Sequence, residues 1–146
     1  MYLSKNFTLK ELTKSDTALR LGIDNEPSKE GIMKLTILAT ALLQPIRERL
    51  SAPIRVTSGY RSPELSEIIG SSSNSQHCRY EAVDLHLDFD QCILEFGDAT
   101  EYLDPDYPDW VHISYKIVDN RRQVLVAYKD ENNKTKYRTL TNYNSV

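Results

Sequence analysis

Three short segments contain the side chains best suited to chemistry: Ser-Gln-His at 75–77, Ala-Val-Asp at 82–84 and Trp-Val-His at 110–112. Together they contribute two imidazoles and one carboxylate. Three such protein ligands, with a fourth position left open for water, form the ligand set of a catalytic zinc site. The sequence therefore predicts that His77, Asp84 and His112 bind Zn²⁺ and that the chemistry is metal-assisted hydrolysis.

The residues around Asp84 and His112 have the pattern of strands with one buried face. Apolar and polar residues alternate in 82–87 and again in 110–115, which is the side-chain period of a β-strand. The alternation places Asp84 and His112 on the faces opposite the apolar residues. If the two strands are neighbours, these side chains can converge, and His77 can join them from the serine-rich loop that precedes the first strand.

Other interpretations of these residues stay open at this point. The three side chains can also be an exposed carboxylate and two histidines with ordinary hydrogen bonds. His86 shares a predicted face with Asp84, so it is an alternative ligand or a partner that orients a ligand carboxylate. Cys78 beside His77 allows a thiol nucleophile activated by imidazole, or a further metal ligand, although such pairs usually meet across a fold.

Length and composition predict a single domain over residues 1–146. A chain of this length with 40% hydrophobic residues can bury a core, and none of its apolar runs is long enough to span a bilayer. The net charge of −3 comes from interspersed charges without a basic block, which argues against a nucleic-acid partner. Cys78 and Cys92 lack the spacing of a paired motif and are expected to be free thiols. The first residues lack the pattern of an export signal, so we expect cytoplasmic synthesis without a signal peptide.

Local signals predict helices in the first half of the chain. Thr8 and Glu11 have capping-box spacing, which predicts a short helix from Thr8 toward Lys14. An apolar stripe predicts a longer helix after Pro27-Ser28, with a kink near Pro45. Ser62-Pro63 predicts a further helix, and Gly70 is a suitable end for it.

Strand signals dominate the second half. Besides the two strands that carry Asp84 and His112, a strand is predicted at 54–57, and a hairpin is predicted from 123–128 and 136–140. Early helices followed by later strands favour an α+β fold.

Five ordered blocks resemble the M15 zinc peptidases. They lie at 58–65 (Ser-Gly-Tyr-Arg-Ser-Pro-Glu-Leu), 75–77, 81–84, 89–91 and 110–114. This family includes D-Ala-D-Ala carboxypeptidases and the L-alanyl-D-glutamate endopeptidases of phage lysins, and the segments 3–12 and 21–25 are similar to its small phage and prophage members. The resemblance covers most of residues 3–128. It implies a hedgehog/DD-peptidase-like single domain in which N-terminal helices pack on a small antiparallel sheet.

The resemblance also implies roles for individual residues. Asp109, three residues before His112, would be the general base, and an ordinary loop carboxylate is its alternative. Apart from the resemblance, Glu95 is a weaker candidate for the base. Arg61 would bind a substrate carboxylate or stabilise the developing oxyanion, and a structural ion pair is its alternative. The further substrate-binding residues would be Ser75, Tyr60 and Trp110, for which solvation or packing is the alternative.

The activity implied is zinc-dependent cleavage of a peptide bond involving a D-amino acid in bacterial peptidoglycan. We expect a monomer that acts at the cell wall after release or as a virion component, and the alternative is a non-catalytic virion or cell-wall-binding protein with the same fold. Two departures from the family leave the cut bond open. Residues 85–88 are all that separates Asp84 from Phe89, where relatives usually carry a further helix, and Tyr80 stands where phage-type relatives usually have glycine.

Overall fold

The computed structural model describes residues 1–86, 99–102, 111–120 and 123–142. Within these residues, five α-helices and one π-helical turn come mostly before six β-strands, so the predicted α+β class is confirmed. The elements are α1 (Leu9–Thr13), α2 (Asp16–Leu21), α3 (Lys29–Leu38), the π-helical turn (Ala39–Leu43), α4 (Gln44–Leu50), β1 (Arg55–Ser58), α5 (Pro63–Ile68), β2 (Ala82–His86), β3 (Ala99–Tyr102), β4 (Val111–Ser114), β5 (Gln123–Lys129) and β6 (Thr135–Asn142).

The helices begin at residues whose side chains bond the first free backbone N–H groups. The Thr8 hydroxyl accepts from the Glu11 N–H and the Glu11 carboxylate accepts from the Thr8 N–H, which is the predicted capping box of α1. The Ser28 hydroxyl accepts from the Gly31 N–H at the start of α3, and the Ser62 hydroxyl accepts from the Leu65 N–H at the start of α5. The helix α2, capped by Ser15, was not predicted from the sequence.

The predicted kink near Pro45 takes the form of a π-helical turn between α3 and α4. Proline cannot donate a backbone hydrogen bond, and its ring crowds the preceding turn. A wider turn immediately before Pro45 accommodates both effects, because the π-helix moves the hydrogen-bond partner by one residue.

The strands form one six-stranded sheet in the order β1-β2-β4-β3-β5-β6. Every neighbouring pair is antiparallel except β3 and β5, which run parallel. The hairpin predicted near the C-terminus is the β5–β6 pair. The strand β3, which lies between β4 and β5, was not predicted as an element.

The core lies between the long helical segment and one face of the sheet. Leucines of α3 and the π-helical turn pack against the inward side chains of β2 and β4; the fully or almost fully buried members are Leu35, Leu38, Leu42, Leu43, Val83, Leu85, Val111 and Ile113. Burial of each such side chain stabilises the fold by roughly 1.5–3 kcal/mol. Among the described residues, no helix has the length and apolar content required to cross a bilayer.

Candidate metal centre

Asp84 and His112 face each other on adjacent strands. The strands β2 and β4 pair in a register that places Asp84 directly opposite His112. The residues on either side of both positions are buried in the core, so the carboxylate and the imidazole lie on the opposite face of the sheet. Cross-strand partners have Cβ atoms about 4.5–5.5 Å apart, which is close enough for the two groups to share a ligand.

His77 reaches the same point from the loop between α5 and β2. Its side chain is 4% exposed, and its Nδ1 lies 2.7 Å from the carbonyl oxygen of Gly59. Arg79 ties the loop together by donating to the backbone carbonyl of Asn74 and to the carboxylate of Glu81. The loop that carries His77 is therefore held at both of its sides.

Two of the three separations between the donor atoms match those of a tetrahedral zinc site. His77 Nε2 is 3.3 Å from Asp84 Oδ1 and 3.3 Å from His112 Nδ1. Ligand atoms about 2.0–2.1 Å from a shared zinc ion, at tetrahedral angles, lie about 3.3 Å apart. The third separation, from His112 Nδ1 to Asp84 Oδ1, is 2.8 Å, which is a hydrogen-bond distance. The three side chains thus form a group that could hold a metal ion.

The hydrogen bond at Nδ1 of His77 determines which nitrogen of the ring can bind a metal. Gly59 offers only a carbonyl oxygen, so Nδ1 of His77 must carry the proton of this hydrogen bond. The lone pair of the neutral ring is then on Nε2, which is the atom facing Asp84 and His112. A partner of this kind fixes the tautomer and the ring orientation of a metal ligand.

Asp84 is held in its ionised form, as a metal ligand must be. Burial of its carboxylate raises its pKa, but hydrogen bonds from His112 and His77 and the positive charges that these rings carry when protonated lower the pKa more, so that it lies below the usual range. The carboxylate is 16% exposed, so solvent reaches the group from one side only.

Arg61 lies beside the cluster. Its Nη2 is 3.6 Å from Asp84 Oδ2, and its side chain is 15% exposed. Its Nε is buried and has no hydrogen-bond partner among the described residues. Arg61 also lines a cleft of about 530 Å³ that runs along β1 and is bounded by the start of α2 and by α5.

Tyr60 packs against another ring. Its ring stacks on that of Tyr80, with centroids 4.3 Å apart and planes 15° apart, and the residue is 6% exposed. Burial and the hydrogen bond with Tyr80 raise the pKa of Tyr60, which keeps its phenol neutral. Tyr60 nevertheless forms part of the wall of the cleft along β1.

Ser75 holds a turn, and His86 lies apart from the donor cluster. The Ser75 hydroxyl accepts from the backbone N–H of Cys78 and lies 3.4 Å from its sulfur, so both side chains are engaged within the His77 loop. His86 is paired in register with Arg55 at the edge of the sheet. The proposed base Asp109, the alternative base Glu95 and the aromatic Trp110 lie outside the described residues.

Two residues that the sequence analysis did not single out support the site. Gly59 provides the carbonyl that orients His77, and its backbone lies directly against that of Leu12. Asn25 forms hydrogen bonds to the backbone on both sides of Arg61. Both residues lie inside segments that resemble the M15 peptidases, but a single sequence carries no signal for a backbone contact of this kind.

Comparison with known proteins gives one informative result. No curated protein sequence matches the chain. The family model described as Peptidase M15 matches residues 5–114, which is well over half of the chain and includes all three donor residues. This family is of the metallopeptidase type, in agreement with the grouping of His77, Asp84 and His112. The chain therefore belongs to the M15 peptidase family.

Proposed function

We propose that the protein is a zinc-dependent peptidase that cleaves a peptide bond involving a D-amino acid in bacterial peptidoglycan. The observation that carries this proposal is the convergence of His77 Nε2, Asp84 Oδ1 and His112 Nδ1 within 3.3 Å of one another. A zinc ion held by these atoms would supply activation of water near neutral pH and polarisation of the scissile carbonyl.

Arg61 is proposed to act on the substrate. Its guanidinium lies next to Asp84, and its buried Nε has a proton that no described residue accepts. A planar guanidinium binds a carboxylate with two parallel hydrogen bonds, or stabilises the oxyanion that forms when water adds to the carbonyl. We therefore assign Arg61 to binding of the substrate carboxylate or to stabilisation of the transition state.

The cleft along β1, which is lined by Arg61 but by none of the three donor residues, is proposed to bind a part of the peptide away from the cut bond. Its lining includes Lys14, which pairs with Asp16 at 3.2 Å, and Glu11, which caps α1. Arg55 and Arg61 also line the cleft and contribute positive charge, and Arg61 is the one of the two that pairs with Asp84. Peptidoglycan stem peptides carry carboxylates, so this charge suits them. Ser75, Tyr60 and Trp110 complete the proposed substrate site.

Asp109 is the proposed general base. It precedes His112 by three residues, as the base does in the family that the sequence resembles. The proposed bond is either the D-Ala-D-Ala bond, which a carboxypeptidase cleaves, or the L-Ala-D-Glu bond, which an endopeptidase cleaves. We propose that the protein is a monomer from a phage or prophage that acts at the cell wall after release or as a virion component.

Digestion of defined muropeptides, with mass spectrometry of the products, tests the proposal and identifies the bond. The wild type is expected to release a new fragment, whereas His112→Ala and Asp109→Asn are expected to release at least 100-fold less. His86→Ala is the matched control, because it removes a histidine outside the donor cluster and should retain activity. Equal product traces from wild type, His112→Ala and Asp109→Asn would reject the proposal that the protein is a peptidase. Sedimentation with peptidoglycan without cleavage would instead favour the non-catalytic wall-binding protein.

A further inference from the structure

We infer that Asn25 is a positioning residue that fixes Arg61 beside the metal centre, an inference that rests on the proposed function of Arg61. The Asn25 side chain forms three hydrogen bonds, all with backbone groups. Its Oδ1 accepts from the N–H of Ser62 at 2.7 Å, and its Nδ2 donates to the carbonyls of Tyr60 at 3.2 Å and Thr13 at 2.8 Å.

Two of these bonds enclose Arg61. The Tyr60 carbonyl belongs to the peptide bond before Arg61, and the Ser62 N–H belongs to the peptide bond after it. One planar carboxamide therefore holds both peptide planes whose relative orientation is set by the φ and ψ of Arg61. The third bond, to Thr13, anchors the carboxamide to the C-terminal end of α1.

Arg61 depends on this support because little else fixes it. It lies in the irregular segment between β1 and α5, where the Tyr60 N–H donates to the Leu12 carbonyl of α1 at 2.7 Å but none of the described residues bonds the N–H or C=O of Arg61 itself. Its described side-chain contact is with Asp84 at 3.6 Å, and its Nε lacks a described partner. The direction of the Arg61 side chain therefore depends in part on the conformation of its backbone.

Asparagine is suited to this position because the site needs one acceptor and two donors. A carboxamide supplies all three, whereas an ionised carboxylate only accepts. Asn25→Asp keeps the shape and the bond from Ser62, but it turns a negative oxygen toward the carbonyls of Thr13 and Tyr60. Asn25→Ala removes every bond. The two variants therefore separate loss of these three hydrogen bonds, the Asn25 clamp, from loss of side-chain volume.

The test is a double-mutant cycle in kcat/KM on the muropeptide that the wild type cleaves. We expect Asn25→Ala and Asn25→Asp to lower kcat/KM by 10- to 100-fold, mainly through kcat, because a displacement of about 1 Å in a catalytic group can cost about 100-fold. In the Arg61→Ala background, the same substitutions should change kcat/KM by less than twofold. Asn120→Ala is the matched control, since Asn120 clamps the backbone of Lys116 through two bonds of 2.8 Å at another turn and should leave kcat/KM unchanged.

Two further readouts do not depend on activity. Zinc affinity, measured by competition with a chelator, should stay within threefold of wild type, because Asn25 contacts none of the three donor residues. In ¹⁵N NMR of the metal-free protein, the Arg61 Nε–H resonance should shift and its order parameter should fall in both Asn25 variants, but not in Asn120→Ala. An inactive wild type would reject the proposed function while these NMR spectra still test the clamp.

The inference is overturned if Asn25→Ala lowers kcat/KM by the same factor with and without Arg61, or if the Arg61 resonance is unaffected. It is also overturned if both Asn25 variants fail to fold, since Asn25 would then support the fold as a whole. Circular dichroism of Asn25→Asp, the isosteric variant, decides that outcome.

Discussion

A methyl group added at Gly59 should weaken metal binding at a distance. The Cβ of an alanine at this position would overlap the carbonyl oxygen of Leu12 and lie 2.7 Å from its carbonyl carbon. Both groups are backbone, so no side chain can rotate away. Carbon atoms normally pack at about 3.5 Å or more and the carbonyl oxygen is closer than the carbon, so the end of β1 must move away from α1 by at least about 0.8 Å.

This displacement acts on two hydrogen bonds. The Tyr60 N–H donates to the Leu12 carbonyl at 2.7 Å, across the contact that must open. The Gly59 carbonyl accepts from His77 Nδ1 at 2.7 Å, and a shift of about 0.8 Å can lengthen this bond to about 3.5 Å, beyond useful geometry. Overpacking costs about 1–3 kcal/mol and a lost hydrogen bond about 1 kcal/mol. Gly59→Ala should therefore lower the free energy of unfolding by about 2–4 kcal/mol, and loss of the partner of a ligand histidine should lower zinc affinity by about 10- to 100-fold.

Urea unfolding of the metal-free protein and chelator competition for zinc measure the two effects separately. Gly22→Ala is the control: Gly22 has a φ of +67° with no atom within 4 Å of an added Cβ, so alanine there costs about 1–2 kcal/mol of backbone strain away from the donors. The control should lose stability but retain wild-type zinc affinity. Gly59→Ala with reduced stability and unchanged zinc affinity would refute the argument that the Gly59 carbonyl orients His77.

Three further predictions follow from other contacts. Gly31→Ala should lower the free energy of unfolding by about 1–3 kcal/mol, because its Cβ would overlap the ring of Tyr80. In a Tyr80→Gly background the same change should be neutral or stabilising. Equal losses of stability in both backgrounds would contradict the contact between Gly31 and Tyr80. The pKa of Asp84 is lowered in the folded state, so the stability that it contributes is complete above its ordinary pKa of about 3.9 and is lost as the pH falls below that value. The free energy of unfolding of Asp84→Asn, measured with urea, should therefore depend less on pH between about 4 and 2 than that of wild type. His77→Ala should lose stoichiometric zinc by elemental analysis while His86→Ala retains it, and zinc retained by both variants would contradict the assignment of His77.

The features that could be predicted from the sequence are those fixed by short-range chemistry. The capping box at Thr8 and the Ser62-Pro63 helix start depend on bonds within one turn, so their residue types are sufficient signals. The alternation around Asp84 likewise shows which face of β2 carries the carboxylate. The strand β3 was missed because Ala99–Tyr102 is short and lacks alternation, and its place between β4 and β5 is set by pairing across the sheet.

The arrangement of the donor residues depended on information that a strand pattern lacks. Periodicity gives the faces of β2 and β4 but not their register, and a shift of one residue would have turned either donor toward the core. The position of His77 is set by a loop whose shape comes from Arg79 and from the Gly59 carbonyl. Such backbone contacts are invisible in residue types, which is why Gly59 and Asn25 entered only with the structure.

Tyr80 shows how a departure from the family is accommodated. Its φ of +64° is one that glycine adopts freely and tyrosine rarely does, so this chain keeps the backbone of a glycine position while carrying a large ring. The ring lies against Gly31, where any Cβ would collide with it, and stacks on Tyr60. The ring therefore packs on α3 and on the residue before Arg61, so stacking and the Asn25 bonds hold the same turn from two sides. The side chain at this departure from the family thus contributes packing to the segment that presents Arg61.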